Sequence, residues 1–150
     1  MFQRFLVPTD GSDHALAAAR IAGELAQRVG ASVIVMVAVE YDVLGGALPG
    51  ALARELKEQI DQRAQHAVEA TARVVRERNV PVETRIVEGK PADAIVATAE
   101  RLGCDTIVMG SRGLTYATRS SQVLGSVALR VLIISRVPVL VVPPPEEIVE

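Results

Sequence analysis

Hydrophobic and polar positions along this chain follow two rhythms that take turns. Phe2 to Val7 is a short, mostly apolar run, which reads as a strand. Pro8-Thr9-Asp10-Gly11-Ser12, a cluster of turn and capping residues, ends it. From Asp13 to Val29 the apolar positions recur at Leu16, Ala19, Ala22 or Gly23, Ala26 and Val29. That is the spacing of one helical face, and Gly30 stands where a helix end favours glycine. Ser32 to Val39 is almost unbroken in apolar residues, as suits a strand covered on both faces. Tyr41 to Gly50, with three glycines and a proline, reads as a loop.

A long helix is predicted over Ala51 to Asn79, with Leu52, Leu56, Ile60, Ala64, Val68, Thr71 and Val75 on one face. On its polar side Glu69 and Arg73 stand four apart in the favourable order. Val80 to Val87 reads as a half-exposed strand, with Val82, Thr84 and Ile86 alternating against Glu83 and Arg85. Pro91 is placed for the first turn of a helix over Ala92 to Leu102, which Gly103 ends. Thr106 to Met109 forms a fourth strand, Val127 to Ser135 a fourth helix, and Pro138 to Val142 a fifth strand. The order predicts a parallel sheet with helices on both faces and right-handed crossovers. One domain over residues 1–143 and a short acidic tail over 144–150 account for the chain.

Ligands on such sheets bind at the carboxyl ends of the strands, where the winding reverses. Two of those ends carry unusual residues: Pro8-Thr9-Asp10 after the first strand, and Gly110-Ser111-Arg112-Gly113 after the fourth. Glycine at 110 and 113 permits positive φ and close approach of a ligand to bare backbone. Further on, Gly125-Ser126 opens a helix. Ser126 is a good N-cap residue, and the positive end of a helix suits an anion. The pieces suggest a phosphate cradle. They would serve equally as an ordinary strand-to-loop turn followed by a capped helix. If the first and fourth strands are neighbours, both groups face one crevice, and the cradle gains weight.

Composition narrows the alternatives. The net charge of -2 offers no electrostatic footprint for nucleic acid or anionic lipid. Two Tyr, two Phe and no Trp give few platforms for stacking bases. A single Cys excludes an intrachain disulfide and fits a reducing compartment. No apolar run reaches the length of a membrane span and no leader pattern opens the chain, so a soluble cytoplasmic protein without a membrane partner is expected.

Read together, these segments resemble the universal stress protein family. Leu6-Val7-Pro8-Thr9-Asp10-Gly11-Ser12 is similar to its first strand and V-x-x-D-G-S turn. Ile107 to Gly113 is similar to its fourth strand and G-x-x-G turn. Gly125-Ser126-Val127 and Val137-Pro138-Val139-Leu140-Val141-Val142 are similar to its G-S-V helix start and final strand. The resemblance implies a five-stranded parallel sheet in the order 3-2-1-4-5, Rossmann-like, with an adenine nucleotide in the crevice.

In the ATP-binding branch a G-x2-G-x9-G-[ST] pattern holds the nucleotide. Carried over, Gly110, Gly113, Gly125 and Ser126 would hold phosphates, with Met109 and Val127 alongside; Arg112, in or beside the cradle, would pair with phosphate or stay a solvated surface residue. Asp10 would lie near the ribose, the phosphates or an associated Mg²⁺, and Pro8, Thr9, Ala38 and Val39 would wall the adenine. The implied cofactors are ATP, ADP or AMP with Mg²⁺. One departure stands out: eleven residues, Leu114 to Leu124, separate Gly113 from Gly125 where the pattern has nine. An inward fold of that loop would bring Thr118, Arg119, Ser120 and Ser121 to a γ-phosphate, favouring ATP over AMP about tenfold. The family also implies a homodimer through the strand Val139 to Val142.

Other reactive residues point away from catalysis. His14 and His66 fall on helix surfaces without acidic or thiol partners at metal-ligand spacing, and Cys104 has no His beside it. Met36 and Met109 are simplest as core residues, although Met109 also adjoins the cradle. No nucleophile–base–orienter set can be assembled, and the P-loop Lys-[Ser/Thr] is absent. The leading expectation is a nucleotide-dependent switch in stress response or signalling, its loops 41–50 and 114–124 selecting an unknown protein partner. A slow ATPase or nucleotidyl transferase, and a nucleotide-free structural dimer, are the alternatives.

Overall fold

The computed structural model describes residues 1–42, 46, 48–112 and 124–145. The elements follow in the order β1 (Arg4–Pro8), α1 (Asp13–Val29), β2 (Ser32–Val39), α2 (Gly50–Arg76), β3 (Val82–Glu88), α3 (Pro91–Arg101), β4 (Thr106–Gly110), α4 (Ser126–Ile134) and β5 (Val139–Val142). The strands form one sheet in the order β3-β2-β1-β4-β5, and each neighbouring pair is parallel.

Strand alternation divides the core in two. Phe5, Val7, Val33, Val35 and Val108 face the layer built by α1 and α2. Leu6, Ile34, Met36, Ile107 and Met109 face the other layer, with residues of α3 and α4. Helix α1 buries Ala15, Ala18, Ala19, Ala22, Gly23 and Ala26. With such small side chains, its axis can lie close to the sheet. Ser12 caps α1, its Oγ accepting from the Ala15 N–H at 3.2 Å, and Gly30 ends it in the left-handed region at φ 75°.

Several boundaries and faces differ from the sequence expectation, each for a local reason. Phe2 adopts φ 61° and is 43% exposed, so β1 begins two residues later, at Arg4. Helix α2 stops at Arg76 because Asn79 turns left-handed at φ 58°, a conformation Asn tolerates. Burial on α2 begins only at Ala64, whereas Leu52 is 41% exposed. A 27-residue helix extends about 40 Å, while an eight-residue strand extends about 26 Å. The first half of α2 therefore overhangs the sheet. On β3 the apolar phase slips, leaving Ile86 41% exposed and Val87 against the second layer. Glu69 engages Gln65 at 3.3 Å and Arg76 at 3.7 Å rather than Arg73.

Candidate functional site

Pairing between β1 and β4 covers only Phe5 with Thr106 and Leu6 with Ile107, so the two strands part just beyond. Their helices leave on opposite faces of the sheet, and a crevice opens at the switch of winding. On the other side, β1 and β2 remain paired to Pro8 and Met36, and the Thr9 N–H reaches the Met36 C=O at 2.8 Å. Ala38, two residues on, turns its backbone N–H and C=O to the same side as Met36, past the end of β1.

A cavity of about 510 Å³ occupies this crevice, within the usual range for small-molecule sites. It is lined by Pro8, Thr9, Asp10 and Ala15, by Val37 and Ala38, by Pro91 and Ile95, by Met109 to Arg112, and by Gly125 to Ala128. Of the residues singled out in the sequence, Pro8, Thr9, Asp10, Ala38, Met109, Gly110, Arg112, Gly125, Ser126 and Val127 therefore meet around one space. Gly113 and the loop residues Thr118, Arg119, Ser120 and Ser121 lie outside the described residues. Val39 does not line the cavity. Its side chain is buried in the first core layer, and its C=O accepts the Gly89 N–H at 2.9 Å, which ties it toward β3. Val37, Ser111, Ala15, Pro91, Ile95 and Ala128 are additions that no motif marked. Pro91 could have been found as the first residue of a helix following a strand's carboxyl end.

The floor of the cavity is the start of α4. Its N-cap is Gly125, not Ser126, and no capping side chain is found among the described residues. The Gly125 N–H donates to the Ser111 C=O at 2.7 Å, which joins the two ends of the intervening loop. That bond removes the Gly125 N–H from any ligand. Leu129 N–H to Gly125 C=O, at 3.0 Å, opens the helical ladder. The N–H groups of Ser126, Val127 and Ala128 come before it and have no acceptor within the helix. All three belong to cavity-lining residues. Their arrangement, at the positive end of the helix, is that of an anion site.

Glycine at 110 serves a different purpose from the one its sequence suggests. It is not among the positive-φ glycines. A Cβ there would stand 3.0 Å from the His14 C=O oxygen and 3.1 Å from its carbon, so bare backbone lets the first turn of α1 cross the end of β4. Gly125 is similarly tight, with a Cβ falling 3.3 Å from the Ser111 C=O oxygen.

The first turn is held from behind. Thr71 Oγ1 donates to the Ala67 C=O at 2.8 Å, so the 2.8 Å bond between the two threonine hydroxyls has Thr9 as donor. The Gly11 N–H in turn donates to Thr9 Oγ1 at 3.1 Å. Asp10 Oδ1 accepts from the Ser12 N–H at 3.0 Å, which shapes the turn while the carboxylate stays exposed at the cavity rim. Asp10 and Arg112 are the charged side chains among the lining residues.

The remaining candidates lie apart from this site. Cys104 is buried in the second layer, and burial raises its thiol pKa to about 11. His66 lies on the exposed side of α2. Among the described residues no cluster of His, Cys, Asp or Glu could hold a metal, and no helix is long and apolar enough to cross a membrane.

A doubly wound parallel sheet with an anion-receptive helix start at its switch point defines a class of α/β ligand-binding proteins. Within that class the sequence pattern of the universal stress protein family matches residues 1–143. Universal stress protein MJ0531 of Methanocaldococcus jannaschii is 36% identical over 148 residues, covering 98% of this chain and 85% of its own length. The chain belongs to the universal stress protein family. The solved structure of hypothetical protein MJ0577, from the same organism, superimposes with a TM-score of 0.83 at 29% identity, covering 98% of this chain and 99% of that one. A universal stress protein solved in complex with cAMP superimposes with a TM-score of 0.68 at 27% identity, covering 96% and 98%.

Proposed function

We propose that this protein binds an adenine nucleotide in the crevice between β1 and β4 and acts as a nucleotide-dependent switch. The observation that carries the reading is the start of α4, where Ser126, Val127 and Ala128, whose N–H groups have no acceptor within the helix, line the cavity. An anionic group answers that demand, and phosphate does so with several acceptor oxygens. The related protein in complex with cAMP supports an adenine-bearing ligand. So does Ala38, whose adjacent N–H and C=O would match the N1 acceptor and N6 donor of adenine.

ATP, ADP and AMP are the candidate ligands. Asp10 is a single carboxylate at the rim, and with phosphate oxygens and water it fits Mg²⁺, which takes few protein ligands beside a nucleotide. Pro8 and Thr9 would wall the base, while Gly110, Arg112 and Gly125 border the phosphates. Val39 is left out of the adenine wall. Helix α4 supplies both the phosphate-facing N–H groups and an exposed apolar side, Leu129, Leu132 and Ile133, so occupancy can be communicated to a partner surface. A second copy of this chain is the partner we favour, across the open edge of β5.

Titration calorimetry with ATP, ADP and AMP, with and without Mg²⁺, tests the reading. Micromolar binding of at least one is expected, and heat indistinguishable from dilution for all three would overturn it. Following the bound ATP over hours separates a switch from a slow ATPase, since conversion to ADP or AMP would favour the enzyme.

A further inference from the structure

We infer that Ser111 is a ligand-binding residue whose hydroxyl donates to the phosphate held at the start of α4, so that it distinguishes nucleotide from nucleoside. The inference rests on the nucleotide reading above. Ser111 is 7% exposed and lines the cavity, yet its Oγ is buried without a hydrogen-bond partner among the described residues. Buried hydroxyls are rarely left so. Its backbone cannot shift to supply one. The Ser111 N–H donates to the Val142 C=O at 3.0 Å, and its C=O accepts the Gly125 N–H at 2.7 Å. The residue is thus anchored to β5 and to the N-cap of α4, one residue before the N–H groups of Ser126, Val127 and Ala128. These neighbours are donors without helical acceptors. An anionic oxygen entering from the cavity accepts from them and from the Ser111 hydroxyl together, because a hydroxyl can rotate its proton to suit.

Ser111→Ala provides the test, with AMP and adenosine as paired probes in calorimetry. The variant should bind AMP about tenfold more weakly or worse, as expected for one lost hydrogen bond to a charged group. Its affinity for adenosine should change less than twofold. Without ligand its melting midpoint should rise by about 2 °C, because an unpaired buried hydroxyl has been removed. Unchanged AMP affinity, equal weakening of both ligands, or a lowered ligand-free midpoint would each overturn the assignment. Ser111→Cys keeps a polar hydrogen on a somewhat larger side chain with a weaker donor and should fall between, which preserves the comparison if the alanine variant misfolds. Should the wild type bind neither AMP nor adenosine, the nucleotide reading fails on its own, and tripolyphosphate becomes the probe. Thermal protection of the wild type that Ser111→Ala loses would still support the hydroxyl's role. No protection of the wild type would sink both.

Discussion

Gly110 and the backbone of His14 occupy nearly the same space, and that contact shows how narrowly the site is built at the residue scale. A methyl group at 110 would meet backbone atoms, which cannot rotate away, at 3.0 and 3.1 Å. Gly110→Ala should therefore push α1 from the end of β4, costing about 1–3 kcal/mol of stability by overpacking. Urea denaturation with an unchanged m-value measures it, and a loss below about 0.5 kcal/mol would contradict the close approach. The importance of this glycine was legible in the sequence, but its reason was not, since His14 lies almost a hundred residues away along the chain. The cap of α4 shows the same limit. Ser126 looked like the N-cap by residue preference, yet the Gly125 N–H bond to Ser111 sets the helix start one residue earlier. Ser111 itself carried no motif signal, because an orphaned hydroxyl exists only once its neighbours are placed.

Among the elements, α2 divides most clearly into a packed half and a projecting one. Val68 is 1% exposed and belongs to the first core layer, while Leu52 lies in the overhang at 41%. Val68→Ala should cost about 1–3 kcal/mol through lost transfer energy and a residual cavity. Leu52→Ala should stay within about 0.5 kcal/mol, as surface substitutions do. Equal losses in parallel denaturation curves would mean that the overhang packs against something the sheet does not supply. The stripe from Leu52 to Val75 was correctly read as one helical face. Periodicity reports a face but not its cover, so the length mismatch between helix and strands decided which half is buried. The two edge strands differ in the same way. Strand β3 turns Glu83, Arg85 and Glu88 outward, with an ion pair of 3.0 Å between Arg85 and Glu83, as protected edges do. Strand β5 is Val-Leu-Val-Val and has no such charge.

At the scale of the whole molecule, that asymmetry leads to the last prediction. The alternating rhythms in the sequence were sufficient for a parallel sheet covered by helices on both faces, whereas its strand order followed from the family resemblance and not from the rhythms. Among the described residues they left an apolar surface uncovered at one end of the sheet. Beside the open edge of β5, with Leu140 39% exposed, helix α4 exposes Leu129 at 48%, Leu132 at 41% and Ile133 at 72%. An unpaired strand edge next to exposed aliphatic side chains invites strand pairing with another copy, and a two-fold arrangement would cover both edges at once. The wild type should therefore sediment at twice 16.0 kDa at micromolar concentration. Ile133→Glu together with Leu140→Lys should yield a monomer, because desolvating two introduced charges opposes association. Both residues lie outside the cavity lining, so the AMP affinity of the monomeric variant reads the coupling through α4. Affinity that falls with dimer loss would tie occupancy to assembly, whereas unchanged affinity would make the dimer a scaffold independent of the ligand. A wild type that sediments as a single 16.0 kDa species at tens of micromolar would end the dimer proposal.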